Sequence, residues 1–182
     1  MKKSLHNNLI QAVSAIVTFV SRLGSLPANV SPLGSFGFFS SNLLLFFVII
    51  LSFDFFIKGF YPGFWLTYIG FAAYPLLGRL SKHKVSQQLI ALPTASFLFF
   101  LISNFGVWLY WYDHSLQNLL LCYTLALPFY QRTLFGDIVF GYGYILIRFL
   151  LKNSSLVRNM VVVSRSKDIK SNQSDSILIS SL

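Results

Sequence analysis

The sequence predicts an all-α membrane protein, a bundle of six transmembrane helices, on three observations. Hydrophobic residues make up 55% of the 182 and aromatic residues 18%, while only 10% are charged. The mean hydropathy is +0.66. The apolar residues also come in long runs, Leu43–Phe53, Phe64–Leu77, Leu89–Trp111, Leu119–Tyr130 and Ile138–Leu150, rather than in alternation. Runs of this kind suit lipid, where a helix satisfies its own backbone. A small water-soluble domain has too much surface to carry so little charge. Spans of roughly 20 residues with short turns fill residues 1–150 as one transmembrane domain. Residues 151–182 remain as a basic, Ser-rich tail, expected to be cytoplasmic and largely disordered.

The net charge is +9, from 14 Lys and Arg against 5 acids, all of them Asp. The basic residues avoid the apolar runs and sit at their ends and in the tail. That placement anchors and orients a membrane protein; it is not a nucleic-acid footprint. With six spans and the N-terminus inside, nine of the 14 basic residues face the cytoplasm. This bias puts both termini on the inner side of a bacterial cytoplasmic membrane. A five-span arrangement, with the first helix lying at the interface, is the alternative. Cys122 is the only cysteine, so no intrachain disulfide forms.

The elements follow in order. Span one is placed at Leu9–Leu23, a retained helix rather than a cleaved signal segment. Two prolines and two glycines break the chain over Gly24–Ser35. Span two is read as one helix from Phe36 to Phe56. The turn Gly59-Phe-Tyr-Pro-Gly63 leads into span three, Phe64–Leu80, and the basic loop Arg79–Lys84 closes it. Span four covers Leu89–Trp111, with Pro93 in its first turns and an aromatic belt at Trp108–Tyr112. Spans five and six are placed at Leu116–Tyr130 and Thr133–Leu150, on either side of a break at Pro128.

Few residues stand out chemically. Asn104 interrupts an apolar run, where an unsatisfied amide would be expensive. It either contacts a ligand or hydrogen-bonds a neighbouring helix. Trp108 lies four residues on, so the two share a helical face that suits a planar, partly polar ligand or a packed aromatic core. Asn29 lies in the Pro-rich break, over a pocket mouth or in an ordinary surface turn. Asp54 and Asp137 lie near helix ends, as structural pins or, if they converge, as a cation- or proton-handling pair. Arg132 is placed to pair with Asp137 or to face an anion. His6, His83 and His114 are scattered without metal-ligand spacing, and no phosphate-binding glycine loop occurs. The expectation is therefore a non-enzymatic protein without a cofactor or metal.

The stretches Leu26-Pro-Ala-Asn-Val-Ser-Pro-Leu-Gly34, Ser103-Asn-Phe-Gly-Val-Trp108, Cys122-Tyr-Thr-Leu-Ala-Leu-Pro-Phe-Tyr130 and Thr133-Leu-Phe-Gly-Asp137 resemble an uncharacterised family of small bacterial membrane proteins. That family is similar to the substrate-binding S components of energy-coupling factor (ECF) transporters, which import vitamins and micronutrients. The resemblance covers roughly residues 20–145. It implies a solute pocket near the outer face, capped by the loop around Asn29, in a bundle that docks to a transmembrane coupling protein and ATPases. The ligand-binding set it points to is Asn29, Asn104, Trp108, Tyr123 and Asp137. Small residues for docking are sparse in span one, with only Ala12, Ser14 and Ala15 available. A structural subunit without a ligand, and a cation- or proton-coupled carrier using Asp54 and Asp137, are the alternatives.

Overall fold

A computed structural model shows six α-helices and no strand among the described residues. It describes the side chains of residues 11–153 other than 22, 25, 28, 41, 58, 83 and 152. Helix α1 (Lys2–Val20) ends in a π-type turn at Ser21–Ser25 and leads to the Pro-rich break. Then come α2 (Leu33–Phe39), α3 (Leu43–Phe53) with a second π-type turn at Asp54–Lys58, α4 (Phe64–Ser81), α5 (Val85–Trp111) and α6 (Leu116–Ser180). Two units are distinguished, Met1–Gly143 and Tyr144–Leu182.

Two expectations are corrected. Span two is not one helix: α2 and α3 are separated at Ser40–Asn42. The Ser40 hydroxyl accepts from the Asn42 N–H (3.2 Å) and donates to the Asn42 carbonyl (3.0 Å). The Asn42 side chain in turn accepts from the Leu45 N–H at 3.1 Å and caps α3. Polar side chains that bond their own backbone stop one helix and start the next. Spans five and six, conversely, are one helix. Pro128 lies inside α6 without ending it. A proline removes one intrahelical bond, and a long apolar helix tolerates that loss.

Among the described residues, two helices are long and apolar enough to cross a membrane: Val85–Trp111, of 27 residues, and Leu116–Leu151, of 36. Only 28% and 22% of their apolar windows is buried, whereas the core helix of a soluble protein is mostly buried. At 1.5 Å per residue the second is about 54 Å long, well beyond a hydrocarbon core of roughly 30 Å. The apolar segments Gln11–Val20 and Leu43–Ile57 are shorter, and α4 matches the expected third span in position while carrying Pro75 and Arg79.

The first unit holds the core. Ala15, Leu33, Phe36, Phe46, Ile49 and Ile50 form one buried cluster, and Phe38, Tyr74, Leu92 and Ala95 form another. Phe71 packs against both. Short α2 is buried along nearly its whole length and packs on α4, which lies along α5. In the second unit the Arg148 guanidinium lies 5.6 Å from the Tyr144 ring centroid. Side chains past 153 lie outside the described residues, and with them the expectation for the tail at 151–182.

Candidate ligand-binding cavity

The Pro-rich break is held by a tight turn. The Val30 N–H bonds the Pro27 carbonyl at 3.0 Å, and Asn29, the third residue of that turn, has φ 66°. A turn with a left-handed third residue favours glycine or asparagine there. The segment then enters α2, with the Leu33 N–H bonded to the Ser31 hydroxyl at 3.3 Å.

Helix α6 meets this segment through small residues. A Cβ added at Gly136 would lie 3.0 Å from the Ser31 nitrogen and 3.2 Å from its carbonyl oxygen. One at Gly34 would collide with Asp137 Oδ1 and lie 2.5 Å from the Tyr74 ring. The bare Cα of Gly136 lets backbone approach backbone, and that of Gly34 leaves room for the Asp137 and Tyr74 side chains.

The approach places Asp137 in the interior. Its carboxylate and the Tyr74 side chain are each 1% exposed. The Tyr74 hydroxyl donates to Asp137 Oδ2 at 2.5 Å, and the Ser35 hydroxyl donates to the Asp137 backbone carbonyl at 3.0 Å. Ser96, wholly buried on α5, adjoins the pair, yet its hydroxyl closes no hydrogen bond among the described residues. A buried carboxylate is costly unless its oxygens find donors.

A cavity of about 420 Å³ opens beside this pair. Its walls come from the turn at the end of α1, the break, the start of α2, the end of α3, and α4, α5 and α6. Asn29, Ser31, Tyr74, Thr133 and Asp137 are polar lining residues, and Phe53, Phe71 and Phe99 are apolar ones. Phe71 and Phe99 stack on each other with centroids 4.4 Å apart. This volume lies within the range of small-molecule sites, roughly 300–1,000 Å³.

The expected site residues divide. Asn29 and Asp137 line the cavity; Asn104, Trp108 and Tyr123 do not. The Asn104 amide donates to the Phe100 carbonyl of its own helix at 2.8 Å. Trp108 stands 5.4 Å from the Phe105 ring and 5.2 Å from His114, its buried Nε1 unpartnered among the described residues. The Tyr123 hydroxyl donates to the Leu101 carbonyl at 2.7 Å, which ties α6 to α5. The two acids do not share a tyrosine: Tyr68 donates to Asp54 at 2.8 Å, whereas Tyr74 serves Asp137. Six residues along α4 separate those tyrosines by about 9 Å of rise. The expected Arg132–Asp137 pair is corrected. Arg132 is exposed, because residues five apart on a helix do not share a face.

Tyr74, Ser96, Thr133 and the three phenylalanines were not singled out from sequence. The legible signal was Asp137 itself, since a carboxylate in an apolar run requires a donor from another helix. Among the described residues no group of three His, Cys, Asp or Glu could hold a metal ion. The arrangement can enclose and orient a small molecule, with a carboxylate and an amide for polar contacts and rings for the rest.

No curated protein and no solved structure matches this chain. Residues 2–158 match a family of unknown function, DUF6580, and with most of its length covered the chain belongs to that family.

Proposed function

We propose that this protein sits in the bacterial cytoplasmic membrane, with both termini inside, and binds a small solute in the cavity beside Asp137. In this reading it is the specificity subunit of a vitamin or micronutrient uptake transporter of the ECF type. A transmembrane coupling protein and ATPases would drive it, and the chain itself would supply no ATP chemistry.

The observation that carries the reading is the cavity of about 420 Å³. It is walled in part by the same Pro-rich break that bears the resemblance to the uncharacterised membrane-protein family. The largely exposed apolar faces of α5 and α6 supply the support for a lipid setting. Asn104, Trp108 and Tyr123 would then brace α5 and α6 rather than touch the solute.

The test is mild purification from the native membrane, with mass spectrometry of any solute retained. Thr133→Trp adds bulk to a wall of the cavity. A stoichiometric solute, lost in Thr133→Trp and kept in Asn104→Ala, supports the reading. An empty protein, with both substitutions changing only thermal stability, favours a structural subunit.

A further inference from the structure

Resting on that solute-binding reading, we infer that the solute is an organic cation. Its ammonium, amidinium or protonated ring nitrogen would meet Asp137, and its flat apolar body would lie along the Phe71, Tyr74 and Phe99 rings.

Three features of the cavity lead there. First, the carboxylate lines the cavity with few donors on it. Tyr74 hydrogen-bonds it through Oδ2, Ser96 adjoins it, and Oδ1 rests beside the bare Cα of Gly34. A buried carboxylate accepts from several donors when fully satisfied, so a ligand N–H group has a ready partner. Second, no Lys, Arg or His is found among the described lining residues. An anionic solute would meet the buried carboxyl with no cationic side chain among the described lining residues to offset its charge. Third, four lining residues are aromatic, Phe53, Phe71, Tyr74 and Phe99. The negative faces of such rings attract a cation most strongly where water is excluded. The volume corresponds to on the order of a dozen waters at about 30 Å³ each, which suits a compact molecule of one or two rings.

The test is calorimetric titration of the full chain in lipid nanodiscs. The probes are 2-phenylethylammonium and 2-(naphthyl)ethylammonium, the neutral 2-phenylethanol and the anionic phenylacetate. The expected result is binding of the ammonium probes at least tenfold tighter than the alcohol, with phenylacetate silent. Asp137→Asn still offers Tyr74 an acceptor oxygen, so it keeps the fold; it should lose at least tenfold for the ammonium probes only. Equal binding of the alcohol or phenylacetate, silence toward both ammonium probes, or unchanged ammonium binding in Asp137→Asn overturns the inference. A neutral or acidic solute in the co-purification overturns the charge class and leaves the solute-binding reading standing. An empty preparation that also binds no probe brings down both.

Discussion

Replacing Gly34 with alanine adds one methyl group at the most crowded contact around Asp137. The new Cβ would meet Asp137 Oδ1 and lie 2.5 Å and 2.7 Å from two carbons of the Tyr74 ring. Both side chains are 1% exposed and hydrogen-bonded to each other, so a shift of either disturbs the pair. Overpacking a filled interior costs about 1–3 kcal/mol. Pushing Tyr74 away from the carboxylate forfeits a hydrogen bond to a charged group, about 1.5–3 kcal/mol more. Alanine returns up to about 1 kcal/mol through helix propensity. The net loss is about 3 kcal/mol, a melting temperature lower by roughly 6–12 °C for a chain of this size. Gly143 is the control, because nothing lies within 4 Å of a Cβ built there. Gly143→Ala should leave the melting temperature unchanged or raise it slightly. Thermal unfolding of both variants in the same detergent is the assay. Gly34→Ala melting within 2 °C of wild type, or no lower than Gly143→Ala, would refute the steric reasoning.

Three further outcomes follow from the same geometry. Tyr74→Phe and Asp137→Ala, alone and together, should couple by at least about 1 kcal/mol in thermal unfolding; strictly additive losses contradict a shared hydrogen bond. Asn29→Gly keeps the left-handed turn whereas Asn29→Ala strains it by about 1–2 kcal/mol, so only the alanine variant should melt earlier, while both should retain less solute. Alkaline carbonate washing should leave the protein in the membrane pellet, because α5 and α6 present apolar surface over most of their length; release into the supernatant argues against insertion.

Helicity was legible because the apolar runs are long and unbroken, and α4 and α5 begin and end close to where Gly63, the basic loop and the aromatic belt placed them. The α2–α3 junction carried its own signal in Ser40-Ser-Asn42 ahead of Leu43, a helix start that the surrounding phenylalanines obscured. Pro128 misled in the other direction. Proline usually ends a helix, but α6 continues through it, and local sequence does not report whether neighbouring groups absorb the lost bond. Around the cavity, Asn29 and Asp137 attracted notice because polar residues in a Pro-rich break or an apolar run are costly. Tyr74 did not, because a tyrosine among apolar residues reads as an interfacial or packing residue until a partner from another helix is seen. Asn104 attracted the same suspicion as Asp137. It satisfies its amide on the Phe100 carbonyl one turn back, an outlet open to a side-chain amide donor and closed to a carboxylate. That asymmetry separates the two positions, and only the fold displays it.

The most direct measurement is an experimental density map of the protein taken from its native membrane into lipid nanodiscs without a stripping step. The expected result is non-protein density enclosed by Asn29, Tyr74, Phe99, Thr133 and Asp137, within hydrogen-bond reach of the Asp137 carboxylate. A collapsed or empty cavity there, or density seated instead against Asn104 and Trp108, would contradict the assignment of this cavity as the solute site.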